Sequence, residues 1–234
     1  MKRKHLITTA GILLSAATAA NATIIGFGNL GGNNTTVPGT LGSFANVVGN
    51  GFVVTNGATP NISLTWDTIW DIHTSTNFGP IENQTIGGGD WDNEGSIPRV
   101  GQLDTGNHTI IFGATPTWAV RINSFDFGLS GENPGTRNSV WTVSLTGATA
   151  GLVWSQSVPL ENSLGASVLT LTPTYTPALN ETYTLLFNRT ADTGSVSTDG
   201  RMAIDNLSFN QIPEPSSMSL VGLFGVALLV RRRK

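Results

Sequence analysis

Three carboxylates stand at alternate positions in the segment GGGDWDNEG, in the first half of the chain. They are Asp90, Asp92 and Glu94, and Gly95 follows them. Alternate carboxylates in a turning loop can converge on one hard cation such as Ca²⁺, which takes oxygen ligands. An EF-hand is excluded, because Gly101 stands where that loop carries its last glutamate. Two interpretations stay open, a solvated polar loop and a structural calcium site.

The six tryptophans of the chain fall into two groups by their neighbours. Trp66, Trp70 and Trp91 stand among polar and acidic residues, in LTWDTIWDIH and GDWDN. An exposed indole beside carboxylates and amides can stack on a sugar ring, so these three are candidates for a glycan-binding platform. For any one of them core packing is the preferred interpretation, and glycan binding is the hypothesis set against it. The others, which lie in alternating apolar segments and are expected in a core or groove, are Trp118, Trp141 and Trp154.

Carboxylates suited to glycoside chemistry are present, but sequence cannot place two of them across a scissile bond. His73 and His108 are isolated and are expected at the surface or in turns. The chain has no cysteine, no Gly-x-Ser-x-Gly segment and no His-Glu-x-x-His segment. No catalytic residue is therefore assigned, and a secreted glycoside hydrolase or lyase is kept as the alternative to a non-enzymatic role. The carboxylates in question are Asp67, Asp71, Glu82, Asp90, Asp92 and Glu94.

The elements that must position these residues are strands. WAVRINSF and VWTVSLTG alternate apolar and polar residues, which is typical of half-buried strands. LVWSQSV, SVLTLTPTY and TYTLLFNRT follow at short intervals, separated by turn formers such as TGATAG and PALNE. Regularly spaced short strands in a chain of 234 residues predict one all-β domain, an antiparallel two-sheet sandwich.

Positive charge is concentrated at the two ends of the chain. The segment 23–212 has five arginines, no lysine and fourteen carboxylates, which gives it a net charge of −9. An acidic body of this kind repels phosphate backbones, so nucleic acid is not expected as a partner. Without cysteine, the domain depends on core burial for its stability, with a bound metal ion as a possible supplement.

The N-terminus has the order of a secretory signal peptide. The basic KRKH is followed by the apolar LITTAGILLSAATAA and by small residues at Ala20 and Ala22. We expect a signal helix within residues 1–22, export through the Sec machinery and cleavage between Ala22 and Thr23. An uncleaved anchor is the alternative, although the apolar stretch is short for a bilayer span.

The C-terminus has three parts, beginning after Gln211. Pro213 and Pro215 fix two φ angles and disfavour helix, so IPEPSS is expected to be extended and exposed. Residues 218–230 are uncharged and largely apolar, and RRRK follows, which the positive-inside rule places in the cytoplasm. A helix of this length is shorter than the ~20 residues of a stable span and predicts a marginal, transient anchor.

This tail resembles the PEP-CTERM sorting signal of exported bacterial proteins. The matching residues are Pro213, Glu214 and Pro215, then the apolar run, then the cluster Arg231, Arg232 and Arg233. The resemblance implies recognition by an exosortase, processing near the PEP triplet, and a Gram-negative-type bacterium that makes exopolysaccharide. An ordinary C-terminal membrane helix after a proline-rich linker is the alternative.

The last strand, RMAIDNLSFNQ, is similar to strands that close jelly-roll domains of the galactose-binding and carbohydrate-binding-module kind. INSFDFG, at 122–128, is similar to a mid-domain strand of such proteins. The apolar parity changes between Ile204 and Leu207, which predicts a β-bulge at Asp205 and Asn206. Asp205 is expected to accept backbone N–H bonds there, with a ligand role as the alternative.

The expected organisation is a signal peptide over 1–22, a jelly-roll-like β-sandwich over 23–210 and a sorting signal over 211–234. The expected function is that of an exported cell-envelope or extracellular-matrix protein, transiently anchored in the membrane, with a structural or carbohydrate-binding role. Exosortase is the expected processing partner and exopolysaccharide the candidate ligand.

Overall fold

The computed structural model describes residues 22–27, 30, 34–44, 53–55, 58–74, 99–103, 107–129, 138–161, 169–192 and 202–214. Within these ranges the chain forms thirteen strands in two sheets, and every strand pair is antiparallel. The predicted two-sheet sandwich is confirmed. The two predicted terminal helices lie outside the described residues, and the described part of the chain contains no helix long and apolar enough to span a bilayer.

The larger sheet has eight strands, and the last strand of the chain lies inside it. Its strands are β1 (Thr23–Ile25), β2 (Thr35–Thr36), β3 (Val53–Thr55), β5 (Asp71–Thr74), β6 (Arg99–Leu103), β8 (Trp118–Leu129), β11 (Leu169–Leu171) and β13 (Met202–Pro213). The main path runs β11-β8-β13-β6-β5-β2, and β1 pairs with both β13 and β3. One edge of β13 is therefore bonded to β8, and the other is bonded first to β6 and then to β1.

The smaller sheet has five strands in the order β10-β9-β12-β7-β4. They are β4 (Ile62–Trp66), β7 (Asn107–Ala114), β9 (Asn138–Gly147), β10 (Gly151–Glu161) and β12 (Thr182–Asp192). The alternation read from the sequence holds in β9, where Trp141, Val143 and Leu145 are all buried. Every second residue of this strand faces the core because side chains alternate across a pleated strand.

The core between the sheets is rich in aromatic rings that contact one another across the two layers, most of them edge to face. Phe127 of the larger sheet lies 6.0 Å from Trp141 and 5.5 Å from Phe187 of the smaller sheet, measured between ring centroids. Phe209 of β13 lies 5.5 Å from Phe112 of β7. Such pairs contribute about 0.5–1.5 kcal/mol each beyond the area they bury. They join the two layers in a chain that has no disulfide.

The bulge predicted in β13 is present. The register between β13 and β8 shifts between Asp205 and Ser208, and Asn206 has a φ of 51°. The side chain of the buried Asp205 accepts a hydrogen bond from the backbone N–H of Asn206 at 2.7 Å, as expected of a bulge carboxylate. The irregularity lets Met202 and Ile204 on one side of it, and Leu207 and Phe209 on the other, all be buried.

The two tyrosines of the chain pack against each other, with ring centroids 5.1 Å apart. The hydroxyl of Tyr175 accepts from the backbone N–H of Ile122 and donates to the carbonyl of Val120, both at 2.9 Å. The hydroxyl of Tyr183 accepts from the N–H of Ala178 at 2.8 Å. Burial raises the pKa of Tyr175 and of Tyr183 above the ordinary value of 10.0.

Alkaline titration is predicted to unfold the domain before it ionises either tyrosine. The pKa values of both tyrosines are higher in the folded chain than in the unfolded chain. The stability that depends on their protonated hydroxyls is therefore complete below pH 10.0, and it is lost as the pH rises above that value. We expect the near-ultraviolet absorbance of tyrosinate to rise together with the loss of the far-ultraviolet circular dichroism. The urea-unfolded chain, as control, should titrate near pH 10.0. Tyrosinate absorbance with native dichroism would contradict the prediction.

Candidate functional site

Five segments meet at the end of the sandwich where β13 stops, and together they are called the rim. Its residues are 60–61, 115–118, 148–152, 179–181 and 211–214. They include the turns before β4, between β7 and β8, between β9 and β10, and before β12. The rim is the place where the described domain passes into the predicted sorting signal.

Gln211 bonds the end of β13 to the turn before β4. Its side-chain oxygen accepts from the backbone N–H of Asn61 at 3.0 Å and from the Asn61 side-chain amide at 3.1 Å. The backbone carbonyl of Asn61 in turn accepts a hydrogen bond from the backbone N–H of Thr115 at 2.9 Å. Sequence reasoning missed this contact, because Gln211 and Asn61 are 150 residues apart and neither residue has a local pattern that indicates it.

The turn between β7 and β8 holds the first residues of the PEP triplet. Pro213 is the register partner of Trp118, and the N–H of Glu214 donates to the carbonyl of Thr117 at 2.8 Å. Asn180 donates to the carbonyl of Trp118 at 2.8 Å from the other side. Pro213 and Glu214 are exposed, and β13 runs three residues past the expected end of the domain at 210. The sorting segment therefore begins as part of the sheet.

Glu181 carries the one buried charge of the rim, with 4% of its surface exposed. Its carboxylate accepts from the backbone N–H of Thr149 at 2.8 Å and also from the Thr149 hydroxyl. These two hydrogen bonds hold the pKa of Glu181 below its usual value, because they favour the ionised form. The backbone N–H of Ala148 donates a hydrogen bond to the carbonyl of Thr182 at 2.9 Å. The β9–β10 turn is therefore bonded to the start of β12.

The expectation that Trp66 and Trp70 form an exposed glycan-binding platform is wrong, since they are only 2% and 0% exposed. Trp66 continues the inward alternation of β4, and its N–H donates to the carbonyl of Leu41 at 2.9 Å. Trp70 meets it edge to face at 5.1 Å and donates to the carbonyl of Thr109 at 3.1 Å. The third candidate, Trp91, lies outside the described residues.

The polar neighbours of these tryptophans form the turn between β4 and β5. The Asp67 carboxylate accepts from the N–H of Thr109 at 2.5 Å and from the N–H of Ile69 at 3.3 Å. His108 lies 3.9 Å from Asp67 and is completely buried beside Trp70, so its expected surface position is wrong. The cause is its place in β7, where it shares the inward face with Ile110 and Phe112.

The candidate calcium ligands Asp90, Asp92 and Glu94 lie outside the described residues, so the calcium site stays a prediction. Within the described ranges there is no group of three His, Cys, Asp or Glu side chains that could hold a metal ion. Of the predicted signal-cleavage residues, Ala22 precedes β1 and Thr23 begins it, with the Thr23 hydroxyl 2.8 Å from that of Thr59. Pro215 and the cluster Arg231, Arg232 and Arg233 also lie outside the described residues.

The outer face of the smaller sheet is lined mainly by hydroxyl groups, and it is called the hydroxyl face. Ser144 is the register partner of both Ser155 and Leu186, and Thr146 is the partner of Thr184. Neighbouring strands lie about 4.8 Å apart, which places these side chains in rows across the sheet. None of the residues that define this face is charged: Ser63, Thr65, Thr109, Ile111, Thr142, Ser144, Thr146, Leu152, Ser155, Ser157, Thr184, Leu186 and Asn188.

A family model described as the PEP-CTERM protein-sorting motif matches residues 211–234. This match confirms the resemblance read from the C-terminal sequence. Because residues 211–214 are also the end of β13 and the residue after it, the motif and the sandwich overlap within the rim. No curated protein matches the chain.

Solved structures similar to this one include carbohydrate-binding modules. A family 28 module specific for non-crystalline cellulose has a TM-score of 0.33 and 12% identity over 50% of this chain and 78% of its own. A family 61 module in complex with β-1,4-galactotriose has a TM-score of 0.25 and 9% identity over 65% and 88%. A family 11 module from Clostridium thermocellum, in complex with a mixed-linked tetrasaccharide, has a TM-score of 0.27 and 11% identity over 79% and 99%.

Thr117→Gly is predicted to stabilise the domain. Thr117 has a φ of 72°, in the left-handed region that β-branched residues rarely adopt. Relief of that strain stabilises the folded state, while the greater conformational entropy of glycine stabilises the unfolded state. The first free energy should exceed the second by about 1 kcal/mol, which raises the melting temperature by about 2–4 °C. Thermal unfolding measures the shift. Pro116→Gly, one residue away, is the control and should lower the melting temperature; an equal decrease in both variants would refute the prediction.

Proposed function

We propose that this chain is an exported protein that an exosortase delivers to the cell envelope or extracellular matrix, where its sandwich has a carbohydrate-binding role. The match of residues 211–234 to the PEP-CTERM protein-sorting motif carries the sorting half of the proposal. The motif implies export with a membrane-anchored signal. The hydroxyl face supports the second half.

The position of the PEP triplet suits a processing enzyme. Pro213 and Glu214 are exposed at the end of the rim, and Glu214 is bonded to the domain through its backbone N–H. An enzyme that reads this segment therefore meets extended backbone held by a folded domain. Since extended backbone is what proteases and transpeptidases bind, the rim presents the first two residues of the triplet, Pro213 and Glu214, in a suitable conformation.

Replacement of Pro213, Glu214 and Pro215 by alanine is predicted to block processing. Full-length protein should accumulate in the membrane fraction, because the segment read by the exosortase is lost while the apolar run and the arginines remain. Immunoblots of membrane and secreted fractions measure this. The wild-type chain in a host without exosortase should accumulate in the same way.

Pro159→Ala is the control, since Pro159 is an exposed strand proline far along the chain from the triplet. It should be processed like the wild-type chain. Normal processing of the triple-alanine variant would overturn the sorting proposal. Limited proteolysis of both variants checks that the sandwich is folded.

The hydroxyl face has the chemistry of a surface that binds neutral sugars. Its Ser and Thr side chains can both donate and accept hydrogen bonds, as can the hydroxyls of a polysaccharide. Ile111, Leu152 and Leu186 add apolar area among them, with Leu152 66% exposed. The residues that define the face are uncharged and offer no ion pair to an anionic polymer, and the Asp67 carboxylate bonded to Thr109 would repel one. This composition favours a neutral or weakly charged exopolysaccharide.

Thr146→Asp is predicted to weaken retention of the processed protein on the exopolysaccharide of its host. Thr146 is exposed in the middle of a row of the hydroxyl face, and a carboxylate there must lose water without gaining a partner. A loss of about 1–3 kcal/mol corresponds to about 5–150-fold in affinity. Depletion of the protein from solution by the polymer measures it.

Thr174→Asp, which places the same charge at an exposed threonine next to the larger sheet, is the matched control and should bind like the wild-type protein. Equal binding of all three proteins would remove the hydroxyl face from the proposal. Release of sugar fragments by the wild-type protein would favour a polysaccharide-active enzyme instead.

A further inference from the structure

The rim exposes apolar side chains at its tips. Leu152, next to the β9–β10 turn, is 66% exposed, and Leu179, in the turn before β12, is 42% exposed. The half-buried Trp118 lies at the same end, as the register partner of Pro213. Two exposed leucines and a partly exposed indole at the end from which the chain continues offer apolar area suited to a lipid interface.

The rim also presents little charge. Its two charged residues are Glu181 and Glu214, and Glu181 is buried and bonded to Thr149. Glu214 is exposed beside the point where the chain leaves the domain. The remaining polar groups of the rim are hydroxyls, amides and backbone groups, many of which are bonded to one another. An end with one exposed charge in an otherwise acidic domain meets little electrostatic resistance from a lipid surface.

The short stretch of chain between the rim and the apolar run limits how far the rim can lie from the bilayer. The uncharged, largely apolar run begins at Met218, four residues after Glu214. Four residues span at most about 14 Å even when fully extended. When residues 218–230 are anchored in a bilayer, Glu214 must therefore lie within about that distance of the point where the chain enters the lipid. The opposite end of the sandwich lies farther away, by the length of β13.

We propose that the rim is the surface of the sandwich that lies against the lipid bilayer while the chain is anchored, with Leu152, Leu179 and Trp118 in the interfacial layer. This inference rests on the proposed membrane-anchored stage of sorting. It adds an orientation, in which the strands of the sandwich stand away from the bilayer. Apart from Leu152, the hydroxyl face is then turned sideways and stays open to polymer.

Single-cysteine labelling tests this orientation in the full-length, unprocessed chain. The protein contains no cysteine, so each introduced thiol is unique. Leu152→Cys and Leu179→Cys report on the rim. Ile69→Cys is the matched control, because Ile69 is 47% exposed and lies at the opposite end, beyond the far end of β4. Each variant is labelled with an environment-sensitive fluorophore and reconstituted into vesicles of phosphatidylethanolamine and phosphatidylglycerol that contain a headgroup spin label.

Most of the fluorescence at positions 152 and 179 should be quenched by the spin-labelled lipid, and little at position 69. Equal quenching at all three positions, or stronger quenching at position 69, in protein that floats with the vesicles would overturn the orientation and leave the sorting proposal intact. Protein that does not float with the vesicles would overturn both the anchored stage and the inference that rests on it. Unchanged melting temperatures show that the three variants are folded.

Discussion

β13 holds the larger sheet together, because β8 is bonded along one of its edges and β6 and β1 share the other. This strand is the last one that the structure describes, so its pairings form only after residues 202–213 have been made. Its side chains Leu207 and Phe209 enter the core from the middle of the layer. The same strand runs into the sorting motif. The sandwich and the sorting motif therefore share residues 211–213.

Aromatic packing replaces covalent crosslinks in this exported domain. Trp70 meets Trp66, His108 and Phe187 edge to face, which extends the ring contacts from the β4–β5 turn to the centre of the smaller sheet. Phe187 continues them to Phe125 and Phe127 of the larger sheet. The indole N–H groups of Trp66 and Trp70 donate to backbone carbonyls, which makes their burial possible without loss of hydrogen bonds.

The sequence predicts the local features of this fold and fails where distant segments decide the outcome. Alternation predicts β9 and the parity change predicts the bulge at Asp205, since both depend on neighbouring residues. Asp67 and other polar residues make Trp66 and Trp70 candidates for an exposed platform in the sequence, yet those polar residues form a turn at the edge of a buried cluster. The rim depends on contacts such as that of Gln211 with Asn61, 150 residues away, which no local pattern indicates.

The overlap of strand and sorting motif limits where the chain can be cut without damage to the fold. A cut after Glu214 leaves every described pairing of β13 intact, including that of Pro213 with Trp118. A cut before Gln211 would remove the side chain that accepts two hydrogen bonds from Asn61, and with it the last pairings of β13 to β8. Because a central strand cannot be shortened without exposing the backbone of its neighbour, the fold favours processing on the C-terminal side of Glu214. With Pro213 at the end of β13 and Glu214 after it, the processing proposed above would leave the described sandwich complete.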